Sequence, residues 1–142
     1  MMKTTKIILL TIFILGIVSC EEKIQISTSL KIRVIDSLGK PIGNFIFYFS
    51  GDKSKGILNR VLVFDSYLRT DKDGTCAYSS YLPQETEDIT LQIIGDSLYI
   101  PGSELEISID SINYVRSNIS PYIIKNNLKI GAENKFFFRV SR

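Results

Sequence analysis

One short segment has the residue types of a nucleophilic enzyme. Ser50 and Lys53 have the S-x-x-K spacing in which a lysine accompanies a serine nucleophile. That chemistry also uses S-D-N and K-T-G motifs in a much larger domain, and the chain contains neither motif. The chain has no histidine, which excludes histidine-based triads, imidazole general bases and histidine-ligated metals. The sequence therefore predicts no catalytic residue, no enzymatic activity, and a polar loop over residues 50–59.

A second segment has the carboxylates of a calcium loop. Asp71 and Asp73 precede Gly74. An EF-hand loop has its glycine at position six and a bidentate glutamate at position twelve, so aligning Gly74 with position six puts Arg69 first and Ser80 last. Neither residue type fits. The sequence predicts a structural turn here, with a looser calcium site as the alternative, and no bound metal or cofactor.

The N-terminus combines basic, apolar and small residues in the order of an export signal. Lys3 and Lys6 precede a nearly unbroken apolar run over residues 7–18. A transmembrane helix needs about 20 apolar residues, so the run is too short to span a bilayer. Residues 17–20 read I-V-S-C and end the run at Cys20. We therefore expect a signal helix over residues 1–19, with an uncleaved anchor as one alternative.

The I-V-S-C segment resembles the lipobox of bacterial lipoproteins. The lipobox has an aliphatic residue at −3 and a small residue at −1, and Ile17 and Ser19 fit this pattern. An ordinary secretory signal needs small residues at both positions, which Ile17 does not satisfy. The resemblance implies that Cys20 becomes the acylated first residue, carrying palmitate or a similar acyl group. Plain secretion is the alternative.

The residues after Cys20 predict the compartment. Glu21 and Glu22 follow directly, without the aspartate that often marks retention at the inner membrane in that class of proteins. We expect a lipid-anchored protein of the cell envelope, in the outer membrane, on either the periplasmic or the surface face. Residues 20–28 are polar and form the expected tether.

The charge balance argues against a polyanionic partner. The chain has 17 lysines and arginines against 15 aspartates and glutamates, and two of the lysines lie in the signal. The part after the signal is therefore neutral, which gives no overall electrostatic attraction for nucleic acid or anionic lipid. Once Cys20 is acylated, Cys76 has no cysteine to pair with, and we expect a buried, inert thiol there.

The remaining residues alternate between apolar and polar with period two, which predicts strands. Such runs cover residues 30–34, 45–49, 61–67, 75–81, 89–93, 105–109 and 136–140, with further strands possible at 68–70 and 98–100. Turn residues separate the runs. We expect an all-β fold over residues 29–142: a single antiparallel β-sandwich of about seven or more strands. Residues 111–131 fit neither strand nor helix periodicity.

Two of these segments resemble a known domain family. Residues 32–49 read I-R-V-I-D-S-L-G-K-P-I-G-N-F-I-F-Y-F and residues 68–78 read L-R-T-D-K-D-G-T-C-A-Y. Together they are similar to the carboxypeptidase regulatory-like domain, a transthyretin-like, Ig-like β-sandwich common in bacterial envelope proteins. The chain departs from the family pattern at Asn44, Phe45 and Cys76. The resemblance implies a non-catalytic accessory module.

These features predict a docking or structural role with an envelope protein as partner. The alternative is a surface lipoprotein that binds a glycan or small molecule through some of its seven tyrosines. Tyr48 and Tyr78 lie within strand patterns, so we expect them to pack at least partly in the interior. The chain has no tryptophan, which weakens the glycan alternative.

Overall fold

A computed structural model describes residues 27–95, 105–116, 123–125 and 127–141. The described residues form strands and connections, with no helix among them. In chain order the strands are β1 (Thr28–Asp36), β2 (Ile46–Lys55), β3 (Asn59–Arg69), β4 (Thr75–Ser80), β5 (Asp88–Gly95), β6 (Leu105–Ser108), β7 (Val115–Arg116), β8 (Ile123–Ile124) and β9 (Glu133–Val140). The all-β prediction is confirmed. The expected signal helix and the possible strand at 98–100 lie outside the described residues. Within the described ranges, a search for apolar helices of membrane-spanning length found none.

The strands form two sheets. One has the order β4-β1-β9-β6-β7 and the other the order β3-β2-β5-β8. Neighbouring strands are antiparallel except β1 and β9, which are parallel. The parallel pair departs from the expected antiparallel sandwich. Two hydrogen bonds hold the start of β9 beside the start of β1: Gly131 N–H donates to Thr28 Oγ1 at 2.8 Å, and Ser29 N–H donates to the Ala132 carbonyl at 3.0 Å.

The core fills the space between the inner faces of the two sheets. Alternate residues of β1 and β2 are buried, as are those of β5 and β9, which confirms the predicted period-two pattern. Aromatic rings join the sheets: the Phe47 and Phe138 centroids are 5.0 Å apart. Each fully buried phenylalanine stabilises the fold by roughly 2–3 kcal/mol through removal of apolar surface from water.

Two turns of the same design close one end of the sandwich. Asp36 Oδ1 accepts hydrogen bonds from the backbone amides two and four residues later, and Asp71 Oδ1 does the same. Gly39 and Gly74 follow three residues after these aspartates with φ of 81° and 70°. A side chain would strain the backbone at either glycine. The predicted turns at these two motifs are therefore confirmed.

The expectation of a polar loop over residues 50–59 is wrong, because this segment is a β-hairpin. β2 continues to Lys55 and pairs with β3 down to Asn59. Gly51 is the last buried position of β2, and the Phe64 ring lies over it. Beyond Gly51 the two strands leave the core and contact solvent on both faces, so polar residues are compatible with strand structure here. Residues 111–131, undecided from sequence, contain the short strands β7 and β8.

Candidate binding surfaces

The residue with the most specific sequence signal lies outside the described residues. Cys20, its lipobox and most of the tether belong to residues 1–26. Acylation of Cys20 therefore stays a prediction from sequence.

The Ser50 and Lys53 pair is not assembled for catalysis. Both residues lie on β2, and three positions along a strand place their side chains on opposite faces. Lys53 Nζ forms an ion pair with Glu85 Oε2 at 2.6 Å. This arrangement gives the lysine no contact through which it would activate the serine.

Asp71 serves the turn that contains it. Its carboxylate accepts from the Thr75 amide and hydroxyl, both at 2.9 Å, and from the Asp73 amide at 2.9 Å. The hydrogen bonds from Thr75 hold the pKa of the Asp71 carboxyl below its usual value. Within the described part of the chain, no three carboxylate or cysteine side chains are grouped as metal ligands. Both carboxylate oxygens of Asp71 are occupied by donors from within the turn.

Cys76 lies on the inner face of β4, half-buried against the core. Burial, assisted by the nearby Asp71 charge, raises the pKa of its thiol to about 12. The thiolate is the reactive form of cysteine, so this group is not a nucleophile at neutral pH.

The two tyrosines expected to be at least partly buried lie on different faces of their sheets. Tyr78 lies on the inner face of β4, where its ring meets Phe49 edge-on with centroids 5.1 Å apart. Tyr48 lies on the outer face of β2, half-exposed, against Tyr67 of β3 at 5.1 Å between centroids. The Tyr48 hydroxyl donates to Asp65 Oδ2 at 3.1 Å. Desolvation and then this bond raise the pKa of Tyr48.

The tyrosine face is the surface formed by Tyr48, Asp65, Tyr67 and Gln92 on the outside of the four-stranded sheet. Tyr48 pairs with Tyr67 on one side and with Gln92 on the other, so the three side chains cross the sheet in one row. Tyr67 is 70% exposed, which leaves most of its ring available to a ligand. Sequence analysis missed Tyr67, although its parity opposite to Leu68 on β3 indicates an outward position.

A second surface projects from one end of the sandwich. The hairpin tip, residues 53–60, has the sequence K-S-K-G-I-L-N-R. Ile57 is fully exposed and Leu58 is 92% exposed. Arg60 forms ion pairs with Asp52 and Asp88 at the base of the tip. Sequence analysis treated this segment as polar and missed the two adjacent aliphatic residues that follow Gly56.

A mixed-charge groove of about 510 Å³ lies beside the hairpin. Its lining includes the acidic Glu87 and Asp88, the basic Lys125 and Lys129, and the apolar Leu128. Glu87 Oε2 accepts the Ser54 amide at 2.8 Å, and this interaction lowers the pKa of Glu87. The carboxylate therefore stabilises the hairpin base.

Comparisons with known proteins assign no family to the chain. No family model matches it, and no curated protein does. Among solved structures, it is similar to a dioxygenase domain from a dioxygenase and carbohydrate-binding protein fusion of Streptomyces sp. SirexAA-E, with 14% identity and a TM-score of 0.43 over 86% of this chain and 84% of that chain.

It is also similar to 3-chlorocatechol 1,2-dioxygenase from Rhodococcus opacus 1CP, with 12% identity and a TM-score of 0.44 over 87% of this chain and 62% of that one. The major pilin of Streptococcus pyogenes gives 12% identity and a TM-score of 0.39 over 83% and 45% of the two chains. Likenesses this distant identify no activity, and the resemblance to the carboxypeptidase regulatory-like domain stays a prediction.

Proposed function

We propose that the chain is a non-enzymatic, lipid-anchored protein of the cell envelope whose sandwich docks a partner protein. The observation that carries the docking role is the exposure of Tyr67 on the edge strand β3. Tyrosine is enriched among the residues that dominate binding energy at protein interfaces, because its ring buries a large area while its hydroxyl still finds a partner.

The edge strand supplies the second element of this docking surface. β3 is 11 residues long, and β2 is its sheet neighbour among the described strands. An edge strand presents backbone donors and acceptors to which an extended segment of another protein adds as a further strand. Asp65 and Tyr67 lie next to that edge and would contact the side chains of the added segment, which would favour some sequences over others. Backbone pairing would supply affinity and the tyrosine face specificity.

The lipid anchor rests on the I-V-S-C segment at residues 17–20. We expect incorporation of labelled palmitate into the wild-type chain, and its loss in Cys20→Ser with release of the protein from the membrane pellet. Label retained on Cys20→Ser would place the acylation elsewhere.

Affinity capture from detergent-solubilised envelopes tests the docking role. We expect a partner protein in stoichiometric amount with the wild type and its loss with Tyr67→Ala. Tyr81→Ala is the matched control, because Tyr81 is 63% exposed but lies outside the tyrosine face. Equal capture by both variants would contradict docking at this face.

Glycan or small-molecule binding is the second candidate function. The observation that favours it is the exposed Tyr67 ring, which lies near the polar side chains of Asp65 and Gln92. A sugar ring would stack on the tyrosine, and the sugar hydroxyls would form hydrogen bonds with the carboxylate and the amide. Binding to a glycan array that Tyr67→Ala abolishes, without any captured protein, would favour this candidate over docking.

A further inference from the structure

We propose that the hairpin tip inserts into the surface of the bilayer that carries the lipid anchor, and so holds the sandwich in one orientation on the membrane. This inference rests on the proposed acylation of Cys20. It concerns a surface distinct from the tyrosine face, and it names a lipid surface as the occupant of the hairpin tip.

The chain enters the sandwich at the end from which the hairpin projects. β1 begins at Thr28, and its other end is joined to the start of β2 by a short connection, in which the Ile42 amide donates to the Val34 carbonyl at 3.0 Å. The far end of β2 therefore lies at the Thr28 end. The loop of residues 81–87 confirms this, because it runs from Ser80, paired with Thr28, to Asp88, paired with Asp52.

The predicted tether is long enough for the hairpin to reach the bilayer. Cys20 and Thr28 are eight residues apart, and eight residues span at most about 29 Å. The hairpin strands continue past Gly51 for residues 52–55, about 13 Å at the usual rise per residue. This projection is within the reach of the tether, so a sandwich anchored through Cys20 can bring its hairpin tip to the bilayer surface.

The residues of the tip have the chemistry of an interfacial segment. The aliphatic side chains of Ile57 and Leu58 are exposed in the folded protein, so no local unfolding is needed before they contact lipid. Lys55 lies beside them, whereas Lys53 is paired with Glu85 and Arg60 with Asp52 and Asp88 at the base of the tip. Apolar residues that enter the headgroup region next to basic residues that contact phosphates are the pattern by which peripheral segments bind membranes. The exposed aliphatic pair and Lys55 would thus meet the headgroup region together.

A protein pocket is the other occupant that two exposed aliphatic residues would fit. The position of the tip favours the bilayer, because a short tether brings this end of the sandwich to the lipid whatever other partner is present. The tyrosine face, on the side of the sandwich, remains accessible in that orientation.

Depth-dependent fluorescence quenching tests the inference with the lipidated full chain. A polarity-sensitive dye is attached to Ile57→Cys in a Cys76→Ser background, and the protein is reconstituted into vesicles of phosphatidylethanolamine and phosphatidylglycerol. We expect a blue-shifted emission and quenching by lipids that carry a spin label near the headgroup. The matched control is Leu38→Cys, because Leu38 is 79% exposed in the turn at the opposite end of the sandwich. Its dye should show neither effect.

The outcomes separate the two proposals. In one outcome the protein sediments with the vesicles, but the dye at position 57 shows the same emission and quenching as the dye at position 38. That result would overturn the inference and leave the lipid anchor intact. A protein that does not sediment with vesicles, and takes up no palmitate in cells, would overturn both. Because the vesicles contain no other protein, quenching at position 57 also excludes a protein pocket as its cause. The variant Ile57→Asp with Leu58→Asp should abolish the quenching of a dye at Lys55→Cys while sedimentation persists.

Discussion

Thr70 donates its hydroxyl to the carbonyl oxygen of Ile42 at 2.8 Å and thereby joins the end of β3 to the connection between β1 and β2. The Thr70 hydroxyl oxygen also accepts a hydrogen bond from the Phe45 amide at 2.9 Å. Thr70 is 2% exposed, so both bonds are buried. Asn44, next to Phe45, has a φ of 60°, a left-handed conformation that asparagine tolerates better than most residues. The hydroxyl fixes the point at which the chain turns into β2.

Thr70→Val should destabilise the sandwich, because valine has the shape of threonine and no hydroxyl. We expect the free energy of unfolding to fall by about 1–3 kcal/mol, the cost of leaving buried polar groups without that partner. Urea denaturation should show a lower midpoint with an unchanged slope. Thr70→Ser keeps the hydroxyl and serves as the control. A serine variant as unstable as the valine variant would show that the methyl group, and not the hydrogen bonds, matters.

Gly74→Ala should be more damaging than Gly39→Ala, although both glycines have positive φ. A Cβ on Gly74 would collide with the Val34 carbonyl oxygen and lie 3.0 Å from Pro41 Cβ, whereas a Cβ on Gly39 would meet nothing within 4 Å. We expect a loss of roughly 2–4 kcal/mol for Gly74→Ala, from backbone strain plus overlap, and about 1 kcal/mol for Gly39→Ala, from strain alone. Thermal denaturation measures both. Equal losses would contradict the close approach at Gly74.

Cys76 should resist alkylation in the folded protein. Its pKa of about 12 leaves very little thiolate at pH 8, whereas an unfolded cysteine with a pKa near 8.5 is partly ionised. We expect iodoacetamide to react at least about a hundredfold more slowly in buffer than in denaturant. Mass spectrometry over time gives both rates. Similar rates would mean that the thiol is exposed and ionised in the native state.

Stability should decline in acid partly through Glu133. Hydrogen bonds from Lys135 and then Lys31 lower the pKa of its carboxyl from 4.5 to about 2. The folded pKa lies below the unfolded one, so this contribution is present above about pH 4.5 and is lost as the pH falls towards 2. Glu133→Gln should therefore flatten the pH dependence of the unfolding midpoint over this interval.

Asp71 and Asp110 also have lowered pKa values, because backbone amides of Thr75 and Asn113 bond their carboxylates. The Glu133→Gln variant should thus retain part of the acid sensitivity. An unchanged profile would assign the whole effect to groups other than Glu133.

The strands that line the core were predictable from sequence, and the hairpin was not. Alternation in β1 and β9 arises because one face of each strand contacts the core, and that constraint is visible in the order of residues such as Leu30, Lys31 and Ile32. Residues 52–55 have no buried face, so nothing in their order distinguishes a strand from a loop. Pairing between neighbours, including the parallel pair of β1 and β9, depends on distant residues and leaves no local pattern.

The candidate surfaces were predictable only in part. The sequence predicted that Tyr48 and Tyr78 are at least partly buried, but it did not distinguish the outward Tyr48 from the inward Tyr78 and did not single out Tyr67. The distinction depends on which face of each strand points inward, and for Tyr48 that follows from the burial of its neighbours Phe47 and Phe49. Because both neighbours of Tyr48 are aromatic as well, the sequence pattern does not show which face of the strand is buried. The turn chemistry of Asp71 was predictable because its partners lie within four residues.

The place of β1 in its sheet has a consequence for biosynthesis. β1 is the first strand of the domain, and β9, the last one described, occupies one of its two flanks. A nascent chain that has produced β1 to β6 therefore has an open seam through the middle of its larger sheet, and the seam closes only when the final strand arrives. Completion of the larger sheet, and of the core that it covers, therefore depends on residues 133–140.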